Sequence, residues 1–269
     1  MGFKAREVFP GIWHIEDAMG VCMTLLAGRN RAVLIDAGYG LEDVRAFASS
    51  LAGREPRLIL THGHHDHALG AMWFDRVLLR PEDLAVYRAY TAPAQRRLVL
   101  ANVQTKGVPA DEARYLAMPV PDPEPLAGVE MDLGGLTVQP LPCPGHTPGS
   151  AVFYVQEHRL LLTGDNWNPT TWVFFPEALP VADWLRNMRA LLEACPFEQA
   201  LCPHSPALWP RAAVTAFFRG LTPERLRAAE PCGEGQSRGI RTGRCAPAEG
   251  QQLVFDLDKY REDDAYENL

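Results

Sequence analysis

Long apolar runs, paired cysteines and an excess of positive charge are what this 269-residue chain lacks. No apolar run approaches the roughly 20 residues that a bilayer-spanning helix needs, so no membrane partner is expected. The first ten residues, Met1 to Pro10, hold no apolar stretch of the kind that directs export. The six cysteines, at positions 22, 143, 195, 202, 232 and 245, form no CxxC pair. In a chain of this length without an export signal they read as reduced thiols, and a cytoplasmic location is expected. Cys232 and Cys245 flank a Gly-rich turn that gives them the chance to face each other. The formal net charge of -7 supplies no global basic field, so nucleic acid is not an expected partner. With 47% hydrophobic and 22% charged residues, disorder is excluded as the main state. What is left is a globular protein acting on a small molecule.

What the chain does have begins with three apolar runs, Gly11–Ile15, Val21–Leu26 and Ala32–Gly38, separated by polar or Pro-Gly turns. Their spacing predicts an antiparallel meander. From Leu41 to Leu51 the pattern turns helical, with Val44, Phe47, Ala48 and Leu51 on one face. Arg57–Leu60 is a short buried strand, Ala68–Phe74 a helix, Val77–Leu79 another strand, and residues 81–117 a helical stretch. That stretch reads equally as a lid over a site or as an ordinary surface helix pair. A hairpin is expected over 129–138, strands at Ala151–Val155, Arg159–Thr163, Ala200–Pro203 and Gln252–Leu257, and helices over 181–194 and 212–219. In the first of these helices Trp184, Leu185, Met188, Leu191 and Leu192 face inward. Two sheets with helices outside them follow from this order.

The chemistry concentrates in Thr61-His62-Gly63-His64-His65-Asp66-His67, where a strand feeds into the start of a helix. In an extended segment side chains two apart point the same way, so His62 and His64 share a side, and Asp66 and His67 lie just beyond. Imidazole nitrogens suit zinc and similar borderline divalent ions, and a carboxylate neutralises charge. An unliganded cluster of this kind would repel itself when protonated. Three further candidate ligands sit at the ends of strands or apolar runs: His146 in a loop stiffened by prolines, Asp165 after Leu160–Gly164, and His204 after Leu201–Pro203. Together with the cluster they make a set large enough for two metals.

In His62-x-His64-x-Asp66-His67, then His146, Asp165 and His204, the chain resembles the metallo-β-lactamase-fold hydrolase superfamily, over about its first 220 residues. Leu34-Ile35-Asp36-Ala37-Gly38 also resembles that family's strand-end motif. The resemblance implies an α+β fold, a four-layer αββα sandwich with metals at one edge of the sheets. It implies two divalent metal ions, zinc first and manganese or iron as alternatives. His62, His64 and His146 would hold one, Asp66, His67 and His204 the other, with Asp165 bridging. His65 occupies the motif's variable position and is not expected to be a ligand. Asp36 and Thr61 would orient ligands, as metal-bound imidazoles usually require. Two divalent ions outweigh two aspartates and a hydroxide by one positive charge, which would draw an electron-rich oxygen. A metal-bridging hydroxide is expected to attack, with Asp66 as the catalytic group that passes a proton to the leaving group.

His146-Thr147-Pro148-Gly149 resembles the corresponding loop of glyoxalase II-type thioesterases and of lactonases. The expected activity is therefore hydrolysis of an ester-like bond, a lactone or thioester, in a small molecule. Rival readings are a phosphodiesterase with the same dinuclear site, a mononuclear iron dioxygenase of the persulfide type, and a metal-containing binding or regulatory protein. The aromatics of Trp167, Trp172, Phe174 and Phe175 either line an apolar substrate pocket or anchor a loop in the core. The expected organisation is one domain over 1–228 with a helical insertion near 81–117. A C-terminal hairpin and tail over 229–269 would pack on it, or across a homodimer. Arg238, Arg241 and Arg244 in that tail would meet an anionic substrate or balance the acidic end of the chain.

Overall fold

The computed structural model describes residues 2–235 and 238–260. Residues 236–237 of the Gly-rich turn and 261–269 of the expected tail lie outside the described residues. The chain divides into two compact units, Met1–Pro140 with Val155–His158, and Leu141–Tyr154 with Arg159–Leu269.

In the first unit the expected meander is present: β1 (Lys4–Phe9), β2 (Ile12–Glu16), β3 (Cys22–Ala27) and β4 (Ala32–Ile35) pair antiparallel. The helical pattern after it becomes α1 (Val44–Ala52), capped by the Asp43 carboxylate, which accepts the Ala46 N–H at 2.9 Å, and closed by Gly53 in the left-handed region. α1 returns the chain to β5 (Arg57–Ile59), parallel to β4 with Ile35 opposite Ile59. β6 (Val77–Leu79) and β7 (Glu124–Pro125) continue in parallel, so the seven-stranded sheet follows chain order. Parallel neighbours end on the same edge, which brings Asp36, just after β4, beside Thr61, just after β5. The Asp36 N–H donates to the Ile59 carbonyl at 2.9 Å.

Between β5 and β6 the chain makes α2 (His65–Ala68), followed by a tighter 3-10 turn over Leu69–Trp73 where a longer helix over Ala68–Phe74 was expected. A Cβ on Gly70 would lie 2.0 Å from the Ala37 carbonyl oxygen, so this turn is set by close backbone approach. The stretch 81–117 is three helices, α3 (Leu84–Thr91), α4 (Pro93–Thr105) and α5 (Glu112–Ala117). Ala92 is extended before Pro93, as that ring demands, and left-handed Gly107 ends the second. β8 (Met131–Asp132) pairs antiparallel with β9 (Thr137–Pro142), the expected hairpin.

In the second unit β10 (Ala151–Val155) and β11 (Leu160–Leu162) precede β12 (Thr170–Val173), which joins a different sheet. α6 (Val181–Ala194) buries Trp184, Leu185, Met188 and Leu192, with Leu191 partly buried. β13 (Gln199–Cys202) runs parallel to β11 and β14 (Ser205–Pro210) turns back antiparallel, giving the order β14-β13-β11-β10. α7 (Arg211–Gly220) and α8 (Pro223–Arg227) follow. The C-terminal segment forms β15 (Glu230–Cys232), β16 (Thr242–Ala248) and β17 (Gln251–Asp256).

Two sheets were expected and the described residues form three, because these last strands do not join either of the others. They build a sheet of order β12-β17-β16-β15, with β12 parallel to β17. Register also corrects the cysteine pairing: Cys232 stands opposite Thr242, while Cys245 stands opposite Leu253 in the core. No helix among the described residues is long and apolar enough to cross a membrane.

Candidate metal centre

In the first unit, the sheet edge formed by β4 and β5 carries the histidine loop. His62, His64 and His67 are at most 3% exposed, and the Asp66 side chain is 16% exposed. A ligand atom of His62 lies within 4.8 Å of one on His64 and of one on His67, and Asp66 and His67 are equally close. His64 is extended (φ -68, ψ 153) and begins α2, so the loop turns into the helix between His64 and Asp66. The turn lets a strand-type side chain and helix-type side chains share one side.

Asp36 organises this cluster. Its buried carboxylate accepts the Thr61 N–H at 2.7 Å, the Thr61 hydroxyl at 2.9 Å and the His67 Nδ1–H at 2.9 Å. The Thr61 hydroxyl has one proton and gives it to Asp36, so its oxygen accepts from His62 Nδ1–H at 2.9 Å. One carboxylate thus fixes the tautomer of two imidazoles, directly for His67 and through Thr61 for His62, and places both lone pairs on Nε2. Asp36 reaches this position with φ +64, a left-handed conformation rare for a residue with a Cβ and common where strain serves a site.

Three supports come from the 81–117 stretch, whose Tyr87 and Tyr90 suggested a lid in the sequence, while Asp83 gave no signal. The Gly63 N–H donates to buried Asp83 at 2.6 Å, and a Cβ on Gly63 would sit 2.4 Å from the Tyr87 backbone nitrogen. The Tyr90 ring packs 4.4 Å from the His64 ring. The helical stretch that was expected to be a lid or a surface pair therefore packs on the histidine loop.

In the second unit, β11 and β13 place two of the other candidate ligands. Leu162 stands opposite Leu201 in a parallel pair, and Asp165 and His204 each follow by three positions, leaving the sheet at the same edge. Asp165 Oδ2 lies 3.2 Å from His204 Nε2 and 3.6 Å from His146 Nε2. His146 is 1% exposed and donates its Nδ1–H to the Trp172 carbonyl at 2.7 Å, which again leaves the lone pair on Nε2. Its backbone N–H donates to the Asn166 side-chain oxygen at 3.1 Å. Cys143 is buried, and burial pushes its thiol up to about 12, so it offers no thiolate nucleophile near neutral pH.

All seven residues singled out as ligands thus fall into two compact sets, His62, His64, Asp66 and His67 in one unit and His146, Asp165 and His204 in the other. Imidazoles protonated on Nδ1, with the lone pair on Nε2, beside carboxylates fit divalent metal ions. The aromatic segment after Asp165 divides its roles. Trp167 is fully buried and anchors the core, Trp172 is 40% exposed, and Phe175 packs edge-on to the His146 ring at 5.4 Å. Of the three tail arginines, Arg241 pairs with Asp258 and Arg244 with Glu234, while Arg238 lies over the Phe175 ring at 5.2 Å.

Residues 18–194 match the sequence model of the family described as the metallo-beta-lactamase superfamily. The chain is 29% identical over 181 residues to the acyl-coenzyme A thioesterase MBLAC2 of Gallus gallus, covering 63% of this chain and 65% of that protein. It is 35% identical over 142 residues to a hydroxyacylglutathione hydrolase of Anaeromyxobacter dehalogenans, covering 52% and 44%. The chain thus spans less than two thirds of the length of either relative. The structure of a metallo-beta-lactamase family protein from Thermus thermophilus matches with a TM-score of 0.59 at 21% identity, over 93% of this chain and 100% of that one. That likeness shows the fold, of the α+β class expected.

Proposed function

Since the chain belongs to the metallo-beta-lactamase superfamily, we propose that it is a hydrolase that uses two metal ions to cleave an ester-like bond, a thioester first, in a small acyl substrate. The observation that carries this reading is the locked tautomer of His62, His67 and His146, each with Nδ1–H already donated inside its own unit. Histidines held this way are built to present Nε2 to a metal. By carry-over from the superfamily, His62, His64 and His146 would hold one ion and Asp66, His67 and His204 the other, with Asp165 as a ligand to both. Zinc suits this donor set best. When bound, such ions polarise a carbonyl and lower the pKa of water from about 15.7 toward about 7.

The protein's own residues do the rest. Asp66, on the first turn of α2 and partly exposed, accepts a proton and returns it to the leaving group. Exposed Trp172 and half-buried Phe175 offer an apolar surface beside His146 for the acyl part. Two relatives support the choice of bond, since the names of both describe removal of an acyl group from a thiol carrier.

Metal analysis of the purified protein is expected to find about two zinc, manganese or iron ions per chain. Activity should favour thioesters and lactones over a bis-aryl phosphate. One iron per chain with oxygen consumption would overturn the hydrolase, and a preference for the phosphodiester would overturn the substrate class.

A further inference from the structure

The ligands of the second unit come from three separate loops, and one short segment touches all of them. Asn166 accepts the His146 N–H at 3.1 Å and donates its own amide to the Cys143 carbonyl at 2.7 Å. The Trp172 carbonyl takes the His146 Nδ1–H. Between them stands Asn168, 1% exposed, whose side-chain NH2 donates to Asp165 Oδ1 at 3.1 Å and whose oxygen accepts the His204 N–H at 3.4 Å. Its backbone is fixed as well: its N–H donates to Thr171 Oγ1 at 2.9 Å, and that hydroxyl donates back to the Asn168 carbonyl at 2.7 Å.

The segment is in turn held by the C-terminal strand, which lies beyond the family match ending at residue 194. β12 pairs with β17 from Thr170 opposite Gln252 to Val173 opposite Phe255, and the Gln252 N–H donates to the Pro169 carbonyl at 2.7 Å. The Trp167 indole donates to Gln251 at 3.2 Å. Past the strand, Lys259 Nζ donates to the carbonyls of Phe175, Pro176 and Ala178 at 3.1, 2.7 and 2.8 Å.

We infer that Asn168 is a positioning residue for the metal ligands Asp165 and His204, and that the C-terminal strand with Lys259 holds it in place. The inference rests on the reading of those two residues as ligands. A carboxylate rotates easily about its terminal torsion, with broad minima. Tying Oδ1 to the Asn168 amide stops that rotation and keeps Oδ2 on the side of the His146 and His204 imidazoles, where it lies 3.6 and 3.2 Å away. The position requires one donor and one acceptor on the same short side chain, because it faces a carboxylate on one side and an N–H on the other. Asparagine supplies both, and aspartate does not. The C-terminal strands thereby acquire a role in metal binding that their distance in sequence from the ligands conceals.

Zinc affinity, measured by chelator competition on metal-free protein that retains its native circular dichroism, tests this apart from activity. N168D keeps the size and the acceptor toward His204 but loses the donor and sets a second carboxylate against Asp165. It is expected to weaken zinc binding by about 10- to 100-fold, the usual effect of removing a group that orients a ligand. N168S, which retains a hydroxyl donor and no charge, should fold even where N168D does not and should bind zinc with intermediate affinity. Lys259→Met should give a smaller loss in the same direction. Wild-type affinity in N168D and N168S would overturn the positioning role, and wild-type affinity in Lys259→Met would remove the strand from it. A wild-type protein that binds no zinc, manganese or iron would instead overturn the hydrolase reading on which the inference rests.

Discussion

The two ligand-bearing regions solve the same problem by opposite means. In the first unit four candidate ligands come from six consecutive residues, and one buried carboxylate, Asp36, aims two of the imidazoles. In the second unit three candidate ligands come from three loops, and two groups support them: the Trp172 carbonyl for His146, and the Asn168 side chain for both Asp165 and the His204 backbone. A single support is economical in sequence but fails as a whole, whereas with two supports His146 keeps its orientation when Asn168 is lost. The difference also follows from topology. β4 and β5 are adjacent and parallel, so a residue after one strand reaches the loop after the other at once. Asp165 and His204 leave an equivalent parallel edge, and the Asn168 side chain joins them.

The sharpest way to break this comparison is Asp36→Asn. Asparagine tolerates the left-handed backbone at φ +64 and keeps the size of the side chain, so the fold should persist. Its amide has one acceptor for the three donors that Asp36 satisfies. The Thr61 N–H cannot change its polarity, so the new NH2 turns toward His67 Nδ1, which must then accept and carry its proton on Nε2, the atom that would bind metal in the proposed site. Zinc affinity should fall by at least about 100-fold, at the upper end of what loss of an orienting group costs and more than any single change among the second unit's supports. Chelator competition on Asp36→Asn beside N168S measures the contrast directly. Equal losses would show that support is not concentrated in Asp36.

Much of this was legible in the sequence, and the reason is contiguity. The loop from His62 to His67 announces itself because strand and helix periodicity together put its side chains on one side. His146, Asp165 and His204 were legible only as strand-end residues in a familiar order. Their supports were not. A backbone carbonyl such as that of Trp172 has no residue type to betray it, and Asn168 looks like any turn-forming asparagine. The third sheet was missed because β12 is four residues long and lies inside an aromatic segment, so nothing local marks it as the partner of Gln251–Asp256. Asp83 was missed for a related reason: its partner is the N–H of Gly63, a group every residue but proline possesses.

A second contrast lies in how the glycines beside the ligands are enclosed. An added Cβ at Gly63 would meet backbone, 2.4 Å from the Tyr87 nitrogen and 2.7 Å from its Cα, so α3 itself would have to move. At Gly145 it would meet the Trp184 side chain at 2.3 Å. That indole is fully buried and donates to the Asn166 carbonyl at 3.1 Å, but a side chain yields more readily than a helix. Overpacking a closed site costs typically about 1–3 kcal/mol. Gly63→Ala should lie at the top of that range and also weaken metal binding, since both flanking residues are ligands in the proposed site. Gly145→Ala should lie lower. Urea unfolding of the metal-free proteins gives the order, and a larger loss for Gly145→Ala would reverse the argument.

The smallest effect is expected at His65, which the motif leaves out of the ligand set. It sits inside the cluster, yet its ring lies nearly parallel to that of Tyr90, at 6° and 5.8 Å, and edge-on to Tyr39 at 5.5 Å. Among the described residues it belongs to none of the close groups of ligand atoms. The cause is geometric: His65 stands two helical positions before His67, so at about 100° per residue the two side chains leave α2 on nearly opposite sides. His65→Ala should therefore keep the metal content of the wild type. It should lose only about 0.5–1.5 kcal/mol of stability, the worth of an aromatic pair. Loss of one metal equivalent in this variant would place His65 among the ligands. The first unit's cluster would then no longer be read from its two periodicities, two residues apart in the strand and the opening turn of the helix, and the assignment of His64 and Asp66 would have to be made again.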